Sequence, residues 1–488
     1  MQVRSYIVSL ALAALTICPG LAPAPVLSEP IIALVGGTVI DGHGGPPLQH
    51  TVVIKGRKIA QVGRQHEVNI PGTARVFDVS GKFLLPGFID LHVHYFDWMG
   101  ELFLVHGVTT VKDVGNPIEW ISSVSRDVER GRMRGPRILY VGYGIDAPPP
   151  VRDSHIAVQT PDMARRAVRL QHQRGATAVK VREKITFDLL RAITEEAHKL
   201  GMHVTGHIGH LDARQAALAG IDGLEHASGV VEATATGPIP EYPGKDDLEK
   251  AIWELKNYAR IDSAKAVELV KFLAARNVAL IPTMSNWWRI ASPRRDDFAR
   301  QDAEYASNPA LAYVPEQVRQ VWRSSFIFRA KNADDLAQLE TASNKVQELL
   351  RQHHRAGGKV LAGSDTFLSI PGLSLHREMA MLVDAGFSPL KVISMATKEN
   401  AQFMGQGKTL GTITPGKLAD LVILHANPLD DIRHTQRIAM VIKDGELVDM
   451  TYHSDYSIPT PKPTIMRPNW LERQLTMRGR RSAVTHQP

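Results

Sequence analysis

The 488-residue chain predicts an α/β protein: a TIM-like (β/α)8 barrel with a flanking β-sandwich formed by both chain ends. Three observations predict it. Through the middle of the chain, short apolar runs alternate with amphipathic helical stretches, the pattern of a parallel barrel. Strand-like segments with no helix between them stand at both ends of the chain. Residues of metal-binding type close the apolar runs, and in a parallel barrel the C-terminal ends of the strands all open on one cavity.

Residues 1–24 read as a secretory signal, with Arg4 ahead of the apolar run from Ile7 to Cys18 and small residues at Leu21-Ala22-Pro23-Ala24. That run suits a signal core of ~7–15 residues and is short of the ~18–20 needed to span a bilayer. The expectation is therefore a secreted protein, periplasmic, with no membrane segment in its mature form. The single cysteine, Cys18, lies inside the signal. Lipid attachment there is disfavoured by the bulk of Ile17, and the mature chain has neither disulfides nor a thiolate ligand.

Residues 31–83 carry strand patterns in IIALVGGTVIDG, TVVIKGRKIAQVG and ARVFDV, with Gly, Pro and Asp at the turns. A matching set returns at 408–452 in ADLVILHA and AMVIKDGELVD. Neither set is large enough to make a comfortable core alone, so the two are expected to pair. Between them, 84–407 offers eight strand candidates: 83–92, 109–113, 137–142, 176–181, 203–207, 223–226, 278–283 and 359–363. A helix follows the fourth, with Thr186 as N-cap before FDLLRAITEEAHKL and Gly201 as the stop. The stretch 287–358 is too long for a simple crossover and reads as a helical insertion. The Gly, Pro and Thr-rich stretch 230–247 reads as a loop. Both belong on the catalytic rim, where they could form a lid. Residues 453–488 read as a C-terminal tail, basic in ERQLTMRGRR.

Composition narrows the function. Apolar residues make up 44% and aromatic residues 6%, an ordinary globular balance. The net charge is +7, and because Arg4 is the only charged residue in 1–24, removing that segment leaves +6. Basic and acidic residues are interspersed, which argues for a mildly basic, well-solvated surface and against a nucleic-acid partner; the expected partner is a small-molecule substrate. A homo-oligomer is left open.

Six residues could converge on a pair of metal ions: His92 and His94 in LLPGFIDLHVH, Lys180 in ATAVKV, His207 in HVTGH, His226 in GLEH and Asp365 in LAGSD. Imidazole nitrogens and a carboxylate suit a borderline cation, and Zn²⁺ is the expected one. A lysine ammonium has no lone pair. Lys180 can ligate only as a CO₂-derived carbamate, whose carboxylate would bridge two divalent metal ions about 3.5–4 Å apart. An H-x-H pair alone is equally consistent with two buried, hydrogen-bonded histidines, because alternate residues of a strand share a face. That account must here explain five strand ends at once.

The motifs PGFIDLHVH, GVTTVKDVG from Gly107 to Gly115, AVKV, GH, EHAS, GSDT and GTITPGKLADLVILHANPL from Gly411 to Leu429 resemble the amidohydrolase superfamily. Within it the chain is most similar to the imidazolonepropionase-related enzymes, which include prolidase-like and Xaa-amino-acid carboxypeptidases. The resemblance spans residues 31–450. It implies that His92, His94 and Asp365 hold the more buried metal, that His207 and His226 hold the other, and that carbamylated Lys180 lies between them. In one respect the chain departs from the prolidase-like pattern: those relatives carry a glycine-rich extension after the bridging lysine, whereas this sequence runs from Lys180 directly to Thr186.

Asp365 is the expected catalytic residue, a carboxylate able to take a proton from the attacking hydroxide and pass it to the leaving amine. Its structural alternative is a cap on the following helix. Asp90 shares parity with His92 and His94, and either accepts from a ligand imidazole or is bonded to backbone. Tyr143, His155 and His210 are candidates for substrate contact. His203, deeper in its strand, is assigned to the core, and His353, His354, His425 and His434 to surface or structural positions. The leading function is a binuclear metal-dependent hydrolase cleaving an amide bond of N-acyl amino acids or dipeptides. The alternatives are a mononuclear deaminase or cyclic-imide hydrolase on the same barrel, and a periplasmic binding protein without chemistry.

Overall fold

A computed structural model describes residues 29–150, 155–244, 247–324, 330 and 332–459. The expected signal segment, Cys18 and most of the expected tail lie outside the described residues. Seven parallel strands form most of the barrel: Phe88–Val93, Val108–Asp113, Arg137–Tyr140, Ala178–Val181, His203–Gly206, Gly223–Glu225 and Ala279–Ile281. They pair in sequence order, in the register Lys180 with Thr205, Gly206 with Leu224 and Leu224 with Leu280. The third and fourth are joined where Thr177 N donates to Tyr140 O at 3.0 Å.

Residues 359–363 take the eighth place. Leu361 N donates to Leu280 O at 2.9 Å on one side, and on the other Leu91 N donates to Ala362 O at 3.2 Å and His94 N to Thr366 O at 2.9 Å. The backbone bonds thus run round the whole ring. Every residue of Phe88–Val93, Val108–Asp113 and Ala178–Val181 is buried, as expected for strands covered by helices outside and side chains inside. This is why those segments read as near-continuous apolar runs.

Local chemistry sets the crossovers. Thr160 caps helix Pro161–Gln173 by accepting from Met163 N at 3.3 Å, with Pro at the first position. Asp212 and Gln215 form a reciprocal capping box on Ala213–Leu218. Thr186 does occupy the N-cap of Phe187–Lys199, but its side chain makes no capping bond, and Gly201 follows the helix at φ 71°.

The two chain ends share a β-sandwich. One sheet contains Ile31–Val35, Thr51–Lys55, Lys58–Gly63 and Arg75–Asp78. The other joins Phe83–Pro86 antiparallel to Leu421–Leu424, so an early and a late strand are neighbours. Leu34, Val52, Ile54, Leu84, Leu421 and Ile423 fill the space between the sheets. Arg137, on the third barrel strand, clasps the sandwich through Asp420 at 2.6 Å and Asp444 at 2.5 Å.

Two segments differ from their expected form. Within 230–247 the chain makes a short helix, Val230–Thr234, started by Gly229 at φ 77° and held down by the buried Val230 and Val231. The stretch 287–358 includes helices Arg295–Ser307 and Glu316–Arg323, and then Ala333–Arg355, which leads straight into residues 359–363 and so acts as the last crossover. Among the described residues no helix is long and apolar enough to cross a membrane.

Candidate active site

The six expected ligands come from the C-terminal ends of the first, fourth, fifth, sixth and eighth strands. The structure gathers four of them, His92, His94, His226 and Asp365, into two overlapping groups and sets His207 and Lys180 beside these. Asp365 Oδ1 lies 3.2 Å from His92 Nε2 and 3.4 Å from His94 Nε2, and the ligating atoms of these three residues form one compact group. A second group unites His92, His226 and Glu225. The His207 ring stands edge-on to His226 with centroids 4.7 Å apart, so it borders the cluster but belongs to neither group. Lys180, fully buried, pairs with Glu225.

Backbone strain marks the same rim. His226, Thr283 and Asp365 all have positive φ, at 60°, 49° and 50°, and none is glycine. Such conformations cost about 1–3 kcal/mol each and concentrate at functional sites. At the sixth strand the kink has a direct consequence. Glu225 ends the regular strand pointing inward, where it reaches Lys180 and stands 3.5 Å from His92 Nδ1. His226, next in sequence, turns into the same cavity instead of facing the opposite way.

The hydrogen bonds orient the donors. Thr283 Oγ1 donates to Pro282 O at 2.8 Å and lies 2.6 Å from His226 Nδ1. With its proton committed, the hydroxyl accepts from Nδ1–H, which leaves Nε2 of His226 with its lone pair. Asp365 Oδ2 accepts from Asn286 Nδ2 and Trp287 Nε1, each at 2.8 Å. Asp90 is the backbone-bonded carboxylate of the two readings. It accepts from His92 N at 3.2 Å and Ser364 N at 2.9 Å, and from Ser364 Oγ, while burial pushes its pKa up to about 7.

These residues fit metal ions. His92 is wholly buried between two carboxylates, with Nε2 3.2 Å from Asp365 and Nδ1 3.5 Å from Glu225. A neutral imidazole has one N–H, which a carboxylate can accept, and one lone pair, which a cation can take. Burial also holds the pKa of His92 and His226 well below the usual value and that of His207 down to about 4, which keeps the imidazoles in the neutral, ligating form. Burial and the Arg182 charge lower the Lys180 pKa strongly.

The substrate candidates are less central. The Tyr143 hydroxyl donates to Glu119 at 2.8 Å, away from the ligand cluster. His155 packs against Gly144 beside Arg182, and His210 is exposed on the rim. His203 packs on Phe403 with centroids 4.7 Å apart, in keeping with a core position.

Several residues of the site had no distinguishing signal in sequence: Glu225, Thr283, Asn286, Trp287 and Glu183, which stands 3.5 Å from His207 Nδ1. The tryptophan pair at 287–288 was the only visible hint.

A parallel barrel with a buried cluster of imidazoles and carboxylates at its C-terminal face defines a metal-dependent hydrolase class. Residues 83–448 match the amidohydrolase family, and the chain belongs to it. A candidate prolidase from Bifidobacterium longum is similar in structure, with a TM-score of 0.63 and 26% identity, covering 92% of this chain and 99% of that one. Ochratoxinase of Aspergillus niger is 22% identical over 86% of each chain, and its crystal structure shares the fold at a TM-score of 0.62. A dihydroorotase from Anaeromyxobacter dehalogenans is 44% identical over 64 residues, so the chain matches only 14% of that enzyme's length.

Proposed function

We propose that this protein is a secreted, binuclear metal-dependent hydrolase that cleaves an amide bond in a small substrate of the N-acyl amino acid or dipeptide class. The observation that carries the reading is a pair of candidate ligand groups that share the buried His92: His92 with His94 and Asp365, and His92 with Glu225 and His226. His92, His94 and Asp365 would hold one ion. His207 and His226 would hold the other, with a carbamate on Lys180 between them and Zn²⁺ as the expected metal. Such a pair of cations supplies a nucleophilic water at neutral pH and polarises the amide carbonyl.

The chain's own residues do the remainder. Asp365, ionised and oriented from behind, accepts the proton released by the attacking water and returns it to the departing amine. Thr283 keeps His226 in one tautomer. Burial holds Lys180 in the amine form that reacts with CO₂. Amide-cleaving relatives in the family, prolidase and ochratoxinase by name, support the bond type.

One observation favours a second reading. The group of His92, Glu225 and His226 could hold an ion without Lys180, which would suit a mononuclear deaminase or cyclic-imide hydrolase. Metal analysis after exhaustive dialysis separates the two. Two ions per chain, falling in Lys180→Ala, is the expected result, and one ion unchanged in that variant overturns the binuclear assignment. A panel of N-acyl amino acids, dipeptides, lactones and aminated heterocycles tests the reaction. Amide turnover that disappears in Asp365→Asn is expected, and ammonia release from heterocycles alone would contradict the proposal.

A further inference from the structure

We propose that the five-residue turn Thr283 to Trp287 is a built-in clamp on the metal ligands, with Asn286 and Trp287 as positioning residues. The inference rests on the metal-site reading above and concerns residues to which neither the family match nor the sequence motifs give a role. A carboxylate oxygen has two in-plane lone pairs. Asp365 Oδ2 accepts from two neutral donors, Asn286 Nδ2 and Trp287 Nε1, both at 2.8 Å. Rotation of the carboxylate is thereby arrested, and Oδ1 is presented to the His92 and His94 side.

Trp287 reaches further than Asp365. Its indole meets His207 edge-on at a centroid distance of 6.0 Å and an interplanar angle of 90°, and it lies 5.1 Å from the His226 ring. One side chain therefore touches expected ligands from the fifth, sixth and eighth strands, on both halves of the site.

The turn itself is anchored from below. Thr283 takes a left-handed conformation that bends the chain at the end of the seventh strand. Ser285 N donates to Glu378 at 2.7 Å, and Ser285 Oγ donates to Ser364 O at 3.2 Å, next to Asp365 in the chain. Through these contacts the turn is fixed to the helix Leu373–Asp384 and to the segment bearing Asp365. Groups that orient metal ligands typically change metal affinity about 10–100-fold when removed.

The test uses the full chain reconstituted with Zn²⁺ and bicarbonate. Wild type, Trp287→Phe, Asn286→Leu and the double variant are dialysed against graded chelator, and bound zinc is counted. Each single variant is expected to release zinc at about 10-fold lower chelator or less, and the double variant at lower still. Tryptophan emission gives a second readout. Zinc removal should change the wild-type emission, and that change should be lost in Trp287→Phe, because the indole is bonded to a ligand.

Circular dichroism and the melting temperature verify folding. Asn286→Leu keeps the indole, and so serves if Trp287→Phe does not fold. Folded variants that retain zinc as tightly as wild type overturn the clamp, as does an emission change that survives in Trp287→Phe. A wild-type chain that retains no zinc overturns both the clamp and the metal-site reading.

Discussion

Replacing Asp302 by alanine should destabilise the protein by at least about 3 kcal/mol, and the reason lies in one buried charge cluster. Asp302, on helix Arg295–Ser307, pairs with Arg289, two residues past the tryptophan of the clamp, and with Arg377 at 2.8 Å on helix Leu373–Asp384. All three side chains are at most 4% exposed. Burial and the Arg377 charge already push the Arg289 pKa down to about 10, against the pull of Asp302. Removing the carboxylate leaves two buried guanidinium groups facing each other. Breaking one buried pair costs about 3–5 kcal/mol, and here a single residue neutralises two partners, so the upper part of that range is expected. Urea unfolding, followed by circular dichroism, measures it. The companion variant Asp302→Leu/Arg289→Met/Arg377→Met should recover most of the loss, since apolar replacement of a whole buried ion cluster is often neutral or better. A loss below about 1 kcal/mol for Asp302→Ala, or a triple variant as unstable as the single one, would refute the electrostatic account.

Two further expectations concern the carboxyl behind the clamp and the sandwich. Burial raises the Glu378 pKa from 4.5 to about 8, so between those pH values the folded chain binds more protons than the unfolded one, and stability falls as pH rises through that window. Glu378→Gln removes this slope and should gain on wild type in melting temperature between pH 5 and pH 8; a difference that stays constant with pH counts against it. Gly445 has φ 81°, and a Cβ there would lie 1.9 Å from Gly56 O, whereas Gly416 at φ 89° has open space around it. Gly416→Ala should cost only the left-handed strain of about 1–3 kcal/mol, and Gly445→Ala clearly more, read as the difference between their unfolding midpoints.

The order of barrel strands and the candidate ligands were legible in the sequence because each lies on, or at the close of, a locally coded element. Runs such as FIDLHV and AVKV are apolar because both faces of their strands are covered, and the polar residue that interrupts such a run has only the cavity to face. The β-sandwich was legible for a related reason: two strand sets too small to bury their own faces had to pair, and Phe83–Pro86 does lie beside Leu421–Leu424. Glu225 was hidden by alternation. A strand that continued to His226 would put the two on opposite faces, but the positive φ of His226 ends the alternation there and sends both inward. Tertiary structure alone set Asn286 and Trp287 on Asp365, Thr283 on His226, and Asp302 between two arginines. These contacts join residues that no periodicity relates, across separations of 78 positions for Trp287 with Asp365 and 57 for His226 with Thr283. Local patterning records which face of an element is buried; which side chains meet across the cavity is decided only when the ring of strands closes.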